Sequence, residues 1–267
     1  MNIKVKYDPV FKKVFADPDN ADILRGFLAD MLRIPRGEIG LIEVLDQELP
    51  SDRFRGKFCR LDMRVRIGGK IVNIELQIKN QPDYRDRTLY YWSKMFSDTL
   101  RESDEYGLAR ECVCINILGF DMFDTPEYCS EFGVYEKKRH EMLSDKLKIY
   151  FFEMGKLRNG FDPGDPRELW LKFIDSESEE ELRMIEKNTT TPEMKKATMV
   201  IRHMSADEKR RYHEWLEEQM KHDEASYRKM LINEGRMKER ETLLKAMREN
   251  GFSPEMIAKI YGDEARQ

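Results

Sequence analysis

Long apolar runs are missing from this sequence: nowhere in its 267 residues is there a stretch near the roughly 20 residues needed to cross a bilayer. The opening residues, Met1-Asn2-Ile3-Lys4-Val5-Lys6, also lack the apolar core of a signal peptide, so a cytoplasmic protein with no membrane partner is expected. Cysteine is scarce. The four present (Cys59, Cys112, Cys114, Cys129) form no CxxC pair, which argues against structural zinc, and Cys112 and Cys114 lie in an apolar run and read as buried free thiols. Excess positive charge is missing too. With 47 Lys and Arg against 51 Asp and Glu, the net charge is −4 and the pI about 5.8, which argues against a protein that coats nucleic acid by bulk electrostatics. What the chain does have is 40% hydrophobic residues, enough for one sizeable core with a smaller appended element.

Two alternating segments dominate the first third. Leu61, Met63, Val65 and Ile67 occupy every second position of one, Val72, Ile74, Leu76 and Ile78 of the other, and Gly68-Gly69 separates them. A two-residue turn at the glycines makes this a hairpin with Ile67 opposite Lys70, Val65 opposite Val72, Met63 opposite Ile74 and Asp62 opposite Glu75. Only this register puts the apolar faces together. It also sets two carboxylates directly across from one another, where like charges destabilise a sheet. A divalent cation between them would offset the repulsion, since Mg²⁺ is typically held by one or two carboxylates plus water and phosphate oxygens. Alternatively, Arg60, Arg64 and Arg66 on the same polar face neutralise both acids as a solvated charge ladder. Arg53, Arg55 and Lys57 precede these arginines and Arg85 and Arg87 follow the second strand. Such a basic rim suits an enzyme acting on a polyphosphate backbone, and is also common on ordinary surfaces.

The rest of the chain suggests helices and strands around this hairpin. Asp8-Pro9 reads as a helix N-cap followed by proline, with Val10, Phe11, Val14 and Phe15 at helical spacing and Lys12 and Lys13 interrupting them. A second helix is expected from about Asn20 to Leu32, ended by Pro35, and a first strand from Ile39 to Leu49. After a turn at Asn80 to Asp83, a helix capped by Asp83 carries Leu89, Tyr90, Trp92, Met95 and Phe96, with Arg87 and Tyr91 four apart on one face. Cys112 to Leu118 is a continuous apolar run of central-strand type, and a further strand is expected over about Lys146 to Met154. The result is an α/β fold, a mixed sheet flanked by helices. Glycine, proline and aspartate cluster between Arg158 and Pro166, suggesting one domain over residues 1–158 and a helical C-terminal region over 165–267. Within that region, Ser205 to Asn250 is highly charged, with few breakers and sparse apolar content. It reads as one long helix or two end to end, stabilised by ion pairs or by packing on a partner chain. Gly251 and Ser253-Pro254 mark a stop and a new helical start, but no recognition helix follows and no base reading is assigned.

Asp62, Glu75 and Gln77 on such a hairpin resemble the PD-(D/E)xK nuclease core, with the third element written ExQ. The ordered set is similar to the Rpn family of recombination-promoting nucleases and transposases: Asp8 to Phe15 with Phe11 and Lys12, Arg60-Leu61-Asp62, Ile74-Glu75-Leu76-Gln77, Gln81-Pro82-Asp83, Arg87 to Tyr91 with Trp92, Ile115-Asn116-Ile117-Leu118 and Leu143 to Leu147. The likeness covers about 150 residues plus a charged helical tail of the same general kind. It implies a restriction-endonuclease-like fold and metal-dependent DNA endonuclease activity. By that analogy Asp62, Glu75 and the carbonyl of Leu76 hold Mg²⁺ or Mn²⁺.

Gln77 departs from the lysine of the superfamily: an amide can orient water or phosphate but supplies neither charge nor a base. Lys79, on the same face, is a partial substitute or a solvated strand end. Lys12, Arg60, Arg64, Lys79, Arg87 and Tyr91 are the candidates for contact with DNA phosphate. Two other readings compete: a degenerate nuclease fold that binds DNA without cutting it, and a protein-interaction module that forms a homo-oligomer through its C-terminal helices.

Overall fold

Two amphipathic helices open the chain. In the computed structural model, which describes residues 3–45, 48–49, 59–60, 62–158, 160–253 and 256, α1 (Asp8–Phe15) buries Val10, Phe11, Val14 and Phe15. Its cap is the extended Tyr7, which makes no side-chain cap bond, and not Asp8 as expected. Asp8 instead sits in the first turn, where a negative charge suits the helix dipole, and pairs with Lys12 at 3.0 Å. Helix α2 (Ala21–Leu32) closes at Arg33, a left-handed residue (φ 53°) whose N–H reaches the carbonyls of Ala29 and Asp30, just ahead of the stop expected at Pro35.

The hairpin forms in the expected register. Strands β4 (Met63–Ile67) and β5 (Lys70–Gln77) pair antiparallel with Ile67 opposite Lys70, Val65 opposite Val72 and Met63 opposite Ile74. Gly68 and Gly69 turn the chain at φ 49° and 83°, angles that side chains resist. The strand expected over Ile39 to Leu49 is divided. Its first part is β1 (Ile42–Leu45), an outer neighbour of β4, and β2 (Glu48–Leu49) pairs separately with β3 (Cys59–Arg60). Leu61 and the basic residues Arg53, Arg55 and Lys57 lie outside the described residues.

Strand β6 (Cys112–Leu118) runs parallel to β5 and is buried at every position, as its unbroken apolar sequence requires. It is followed by β7 (Cys129–Tyr135) and β8 (Met142–Glu153), the latter parallel to β6 and antiparallel to β7. Among the described residues the main sheet is six-stranded, in the order β1-β4-β5-β6-β8-β7. Strand β7 has no counterpart in the sequence reading. It is a half-exposed edge containing a glycine, so no alternation marks it.

Helix α3 (Tyr84–Ser97) covers the sheet face that carries Ile71, Cys112, Cys114, Ile149 and Phe151. It is fastened by a hydrogen bond of 2.9 Å from Trp92 Nε1 to the Cys112 carbonyl. On the opposite face α4 (Pro166–Asp175) lays Arg167 over the rings of Tyr150 and Phe152. Trp170, fully buried, packs at 5.8 Å from Phe15 and 5.6 Å from Phe27, and its indole N–H donates to Asp30 at 2.9 Å. Helices α5 (Glu179–Asn188) and α6 (Pro192–Arg202) complete this layer. The Arg158 to Pro166 segment is therefore a connection within one compact unit, which extends to Ala206; a second unit spans Asp207–Gln267.

Helix α7 (Ala206–Glu249) is a single run of 44 residues, about 66 Å long at 1.5 Å per residue. Of the next helix expected from the sequence, Pro254 and Ile257 onward lie outside the described residues. Among the described residues no helix is long and apolar enough to cross a membrane.

The aromatic contacts of Trp170 generate a test of the unit's extent. A chain ending at residue 158 removes Trp170 from Phe15 and Phe27 and is expected to lose cooperative thermal unfolding, whereas one ending at residue 206 keeps it. Within the full chain, Trp170→Ala should cost about 3–5 kcal/mol of stability in urea titrations.

Candidate active site

The site lies where β5 runs past the first residue of β4. Leu76 N–H donates to Asp62 Oδ2 at 3.0 Å, and Asp62 N–H donates to Glu75 Oε1 at 3.1 Å. The two acids are thus locked to each other's strand by reciprocal hydrogen bonds. Asn73, two residues before Glu75 on the same face, adds a third bond, Nδ2 to Glu75 Oε1 at 3.0 Å. Peptide groups alternate sides along a strand, and the carbonyl of Gln77 is taken by Gly119 N–H on the β6 side at 2.9 Å. The carbonyl of Leu76 accordingly turns with its N–H toward Asp62.

This arrangement is electrostatically unfavourable in the absence of a counter-ion. Burial, and then the charge of Asp62, push the Glu75 carboxyl up to about 8. Burial also raises Asp62, which gains further from the nearby Asp8, while the Leu76 N–H, Lys12 and Arg87 draw it back. A buried carboxylate, Glu75, beside a half-buried one, Asp62, with a peptide carbonyl turned to them, forms a donor set that fits a hard divalent cation of the Mg²⁺ type. Among the described residues no group of three or more His, Cys, Asp or Glu is gathered in a metal-holding arrangement.

The arginines of β4 do not neutralise the pair. Arg64 reaches Asp98 at 3.3 Å and Arg66 reaches Glu43 at 2.6 Å, both away from the acids. The side chain of Arg60 lies outside the described residues. Positive charge comes instead from α3. Arg87 donates to Gln77 Oε1 at 2.7 Å and to Gln81 Oε1 at 2.6 Å, and lies over the Tyr84 ring at 4.7 Å. The Gln77 amide is fully oriented, because its Nε2 donates to the Lys79 carbonyl at 2.7 Å. Lys79 itself is exposed beyond the strand end. Tyr91 sits beside Arg87, its ring 5.9 Å from the guanidinium.

Two residues near the acids, Asn73 and Tyr84, are not distinguished by the sequence, one an ordinary strand position and the other a helix start; Asp8 and Asn116 fall within the segments that carry the resemblance, but with no site role attached. Tyr84, 1% exposed, donates from its hydroxyl to Asn116 Oδ1 at 2.9 Å, and Asn116 Nδ2 donates to the Tyr150 carbonyl at 3.0 Å. Asn116 lies opposite Glu75 on β6, so this chain of hydrogen bonds braces the floor beside the acids. An asparagine in the middle of an otherwise apolar β6 was the available signal.

Comparison with known families finds a match over residues 5–230 to the model described as PD-(D/E)XK nuclease family transposase. Neither the curated proteins nor the solved structures yielded a match.

The raised Glu75 pKa has a thermodynamic consequence. Between the unfolded value of 4.5 and about 8 the folded protein holds a proton that the unfolded chain has released, so stability falls as pH rises through that window. Melting temperatures of the metal-free protein should therefore decline from pH 5 to pH 8. Glu75→Gln should flatten the decline; an equal decline in the variant would show that another group carries it.

Proposed function

Because the chain belongs to the PD-(D/E)XK nuclease family transposases, we propose that it is a metal-dependent endonuclease hydrolysing the phosphodiester bonds of DNA. The observation that carries this reading is the convergence of Asp62 and Glu75, a half-buried and a buried acid tied to each other's strand although the charge of Asp62 makes Glu75 costlier to ionise.

In this reading Asp62, Glu75 and the Leu76 carbonyl hold Mg²⁺ or Mn²⁺. A bound ion of this kind would supply an acidified water and offset charge on the phosphate. The protein's own residues do the positioning. Asn73 and the Asp62 N–H fix the Glu75 carboxylate, and Leu76 N–H fixes that of Asp62, so neither has to reorganise when substrate binds.

Arg87 supplies the positive charge that Gln77 lacks. Its guanidinium is clamped between two glutamine amides and backed by Tyr84, which leaves it aimed from α3 at the same end of β5. Gln77 acts through Arg87, as a positioning residue, and not as a base. Lys12, close enough to Asp62 to lower its pKa, is a second cation for the DNA backbone. Lys79 and Tyr91 flank the site as further candidates for phosphate contact.

A plasmid-nicking assay tests the proposal. Wild type should nick supercoiled DNA in Mg²⁺ and stop in EDTA. Asp62→Asn should lose at least about a hundredfold in rate with an unchanged circular dichroism spectrum. DNA binding without any cleavage in Mg²⁺ or Mn²⁺ would instead identify a binding module on a nuclease fold. Arg87→Ala should slow nicking by about 10²–10³. The Gln77→Ala, Arg87→Ala double variant should be no slower than Arg87→Ala alone, because the glutamine works through the arginine. Additive losses would refute the positioning role.

A further inference from the structure

A second concentration of arginine lies along β4, past the acids. Among the described residues a cavity of about 360 Å³ is lined by Arg64, Arg66, Arg101 and Arg110, with Asp98 and Asp104 as its acids and Leu45, Ile71 and Met95 in its wall. Four cations face two anions. Arg64 pairs with Asp98 at 3.3 Å, and among the described residues its Nε and Nη1 are buried without a hydrogen-bond partner. Arg66 spends Nη1 on Glu43, and its Nε is buried and unpartnered as well. Asp104 is occupied by the backbone N–H of Arg101 at 2.7 Å, and the backbone N–H of Arg110 is taken up by Thr99 Oγ1 at 3.2 Å. Those bonds fix the rim of the cavity and leave the side chains of Arg101 and Arg110 exposed at its mouth.

Buried guanidinium N–H groups without acceptors are rare in folded proteins and call for a ligand rich in oxygen. We propose that this cavity is a binding site for a phosphate group, separate from the metal-holding acids. A tetrahedral phosphate offers acceptors in several directions at once, matching forks that approach from β4 on one side and from the Arg101 to Arg110 segment on the other. A carboxylate, planar with two oxygens, satisfies one fork. Arg64 follows Asp62 by two residues on the same face, about 7 Å along an extended strand, close enough for one DNA strand to reach both places. That strand is one source of the phosphate; a free phosphorylated small molecule is the other.

Calorimetric titration of the metal-free protein with inorganic phosphate, against a sulfate-free chloride buffer, reads the site directly. Wild type and Asp62→Asn should bind alike, since the acids take no part. Arg64→Gln should weaken binding at least tenfold, and so should Arg101→Gln combined with Arg110→Gln, a surface change that leaves the fold in place even if Arg64→Gln does not. Duplex-DNA affinity measured across salt concentrations then separates the sources. A loss of about 0.9 from the slope of log K against log salt in the surface double variant assigns the cavity to one backbone phosphate. An unchanged slope with weakened phosphate binding assigns it to a free phosphorylated ligand. No phosphate binding by wild type, or equal binding by every arginine variant, overturns the proposal; neither result bears on nicking, which is read with Asp62→Asn.

Discussion

The structure turns on two acids that are held side by side by each other's backbone. Where the β4–β5 ladder would continue past Met63 and Ile74, the Leu76 N–H bonds to the Asp62 carboxylate and the Asp62 N–H to the Glu75 carboxylate. Each side chain has taken the place of a backbone partner. The bonds stabilise the ionised forms, yet burial and a neighbouring acid, Asp62 for Glu75 and Asp8 for Asp62, outweigh them, and both groups are driven toward the protonated state. Surface carboxylates in this position would splay apart into water. These cannot, because their donors are backbone groups fixed by the sheet.

The surrounding charges follow from that constraint. Arginines on the same strand could have quenched the acids, and do not: Arg64 and Arg66 are drawn off by Asp98 and Glu43. The compensating cation arrives from a different element, and its direction is set by two glutamines and a tyrosine ring. A lysine at position 77 would carry its own charge on a flexible stem, whereas the amide at 77 fixes a planar guanidinium that presents several donors. The departure at position 77 thus relocates the positive charge to α3.

The hairpin was legible in the sequence because two independent constraints agree there. A two-glycine turn sets the pairing, and alternation over both segments rejects every register but one. Strand β6 was legible for a simpler reason, an apolar run too short for a buried helix. Edge strand β7, with Gly133 and exposed side chains, satisfies neither criterion. Asp8 misled because a carboxylate beside proline looks like a cap whether it sits just before the helix or inside its first turn. The segment from Arg158 to Pro166 does carry turn chemistry, but turn chemistry says nothing of whether the following helices return to the same core. The better indicator was Leu169-Trp170-Leu171 with Phe173, too much apolar surface for a ten-residue helix to bury by itself.

What the acids cost locally must be met by order around them. Glu75 sits on β5 directly beside β6, whose seven residues are all buried, and opposite Asn116, which links Tyr84 on α3 to the Tyr150 carbonyl on β8. Three elements are tied together there by polar groups in a setting where any unpaired donor or acceptor would be expensive. An apolar residue at 116 would pack, but it would leave the Tyr84 hydroxyl buried without its acceptor and unfasten the start of α3. Arg87 lies one turn along that same helix, so a loosened Tyr84 would misdirect the guanidinium clamped between Gln77 and Gln81. The polar interruption in the most apolar strand is therefore what transmits the rigidity of the core to the charges at its edge.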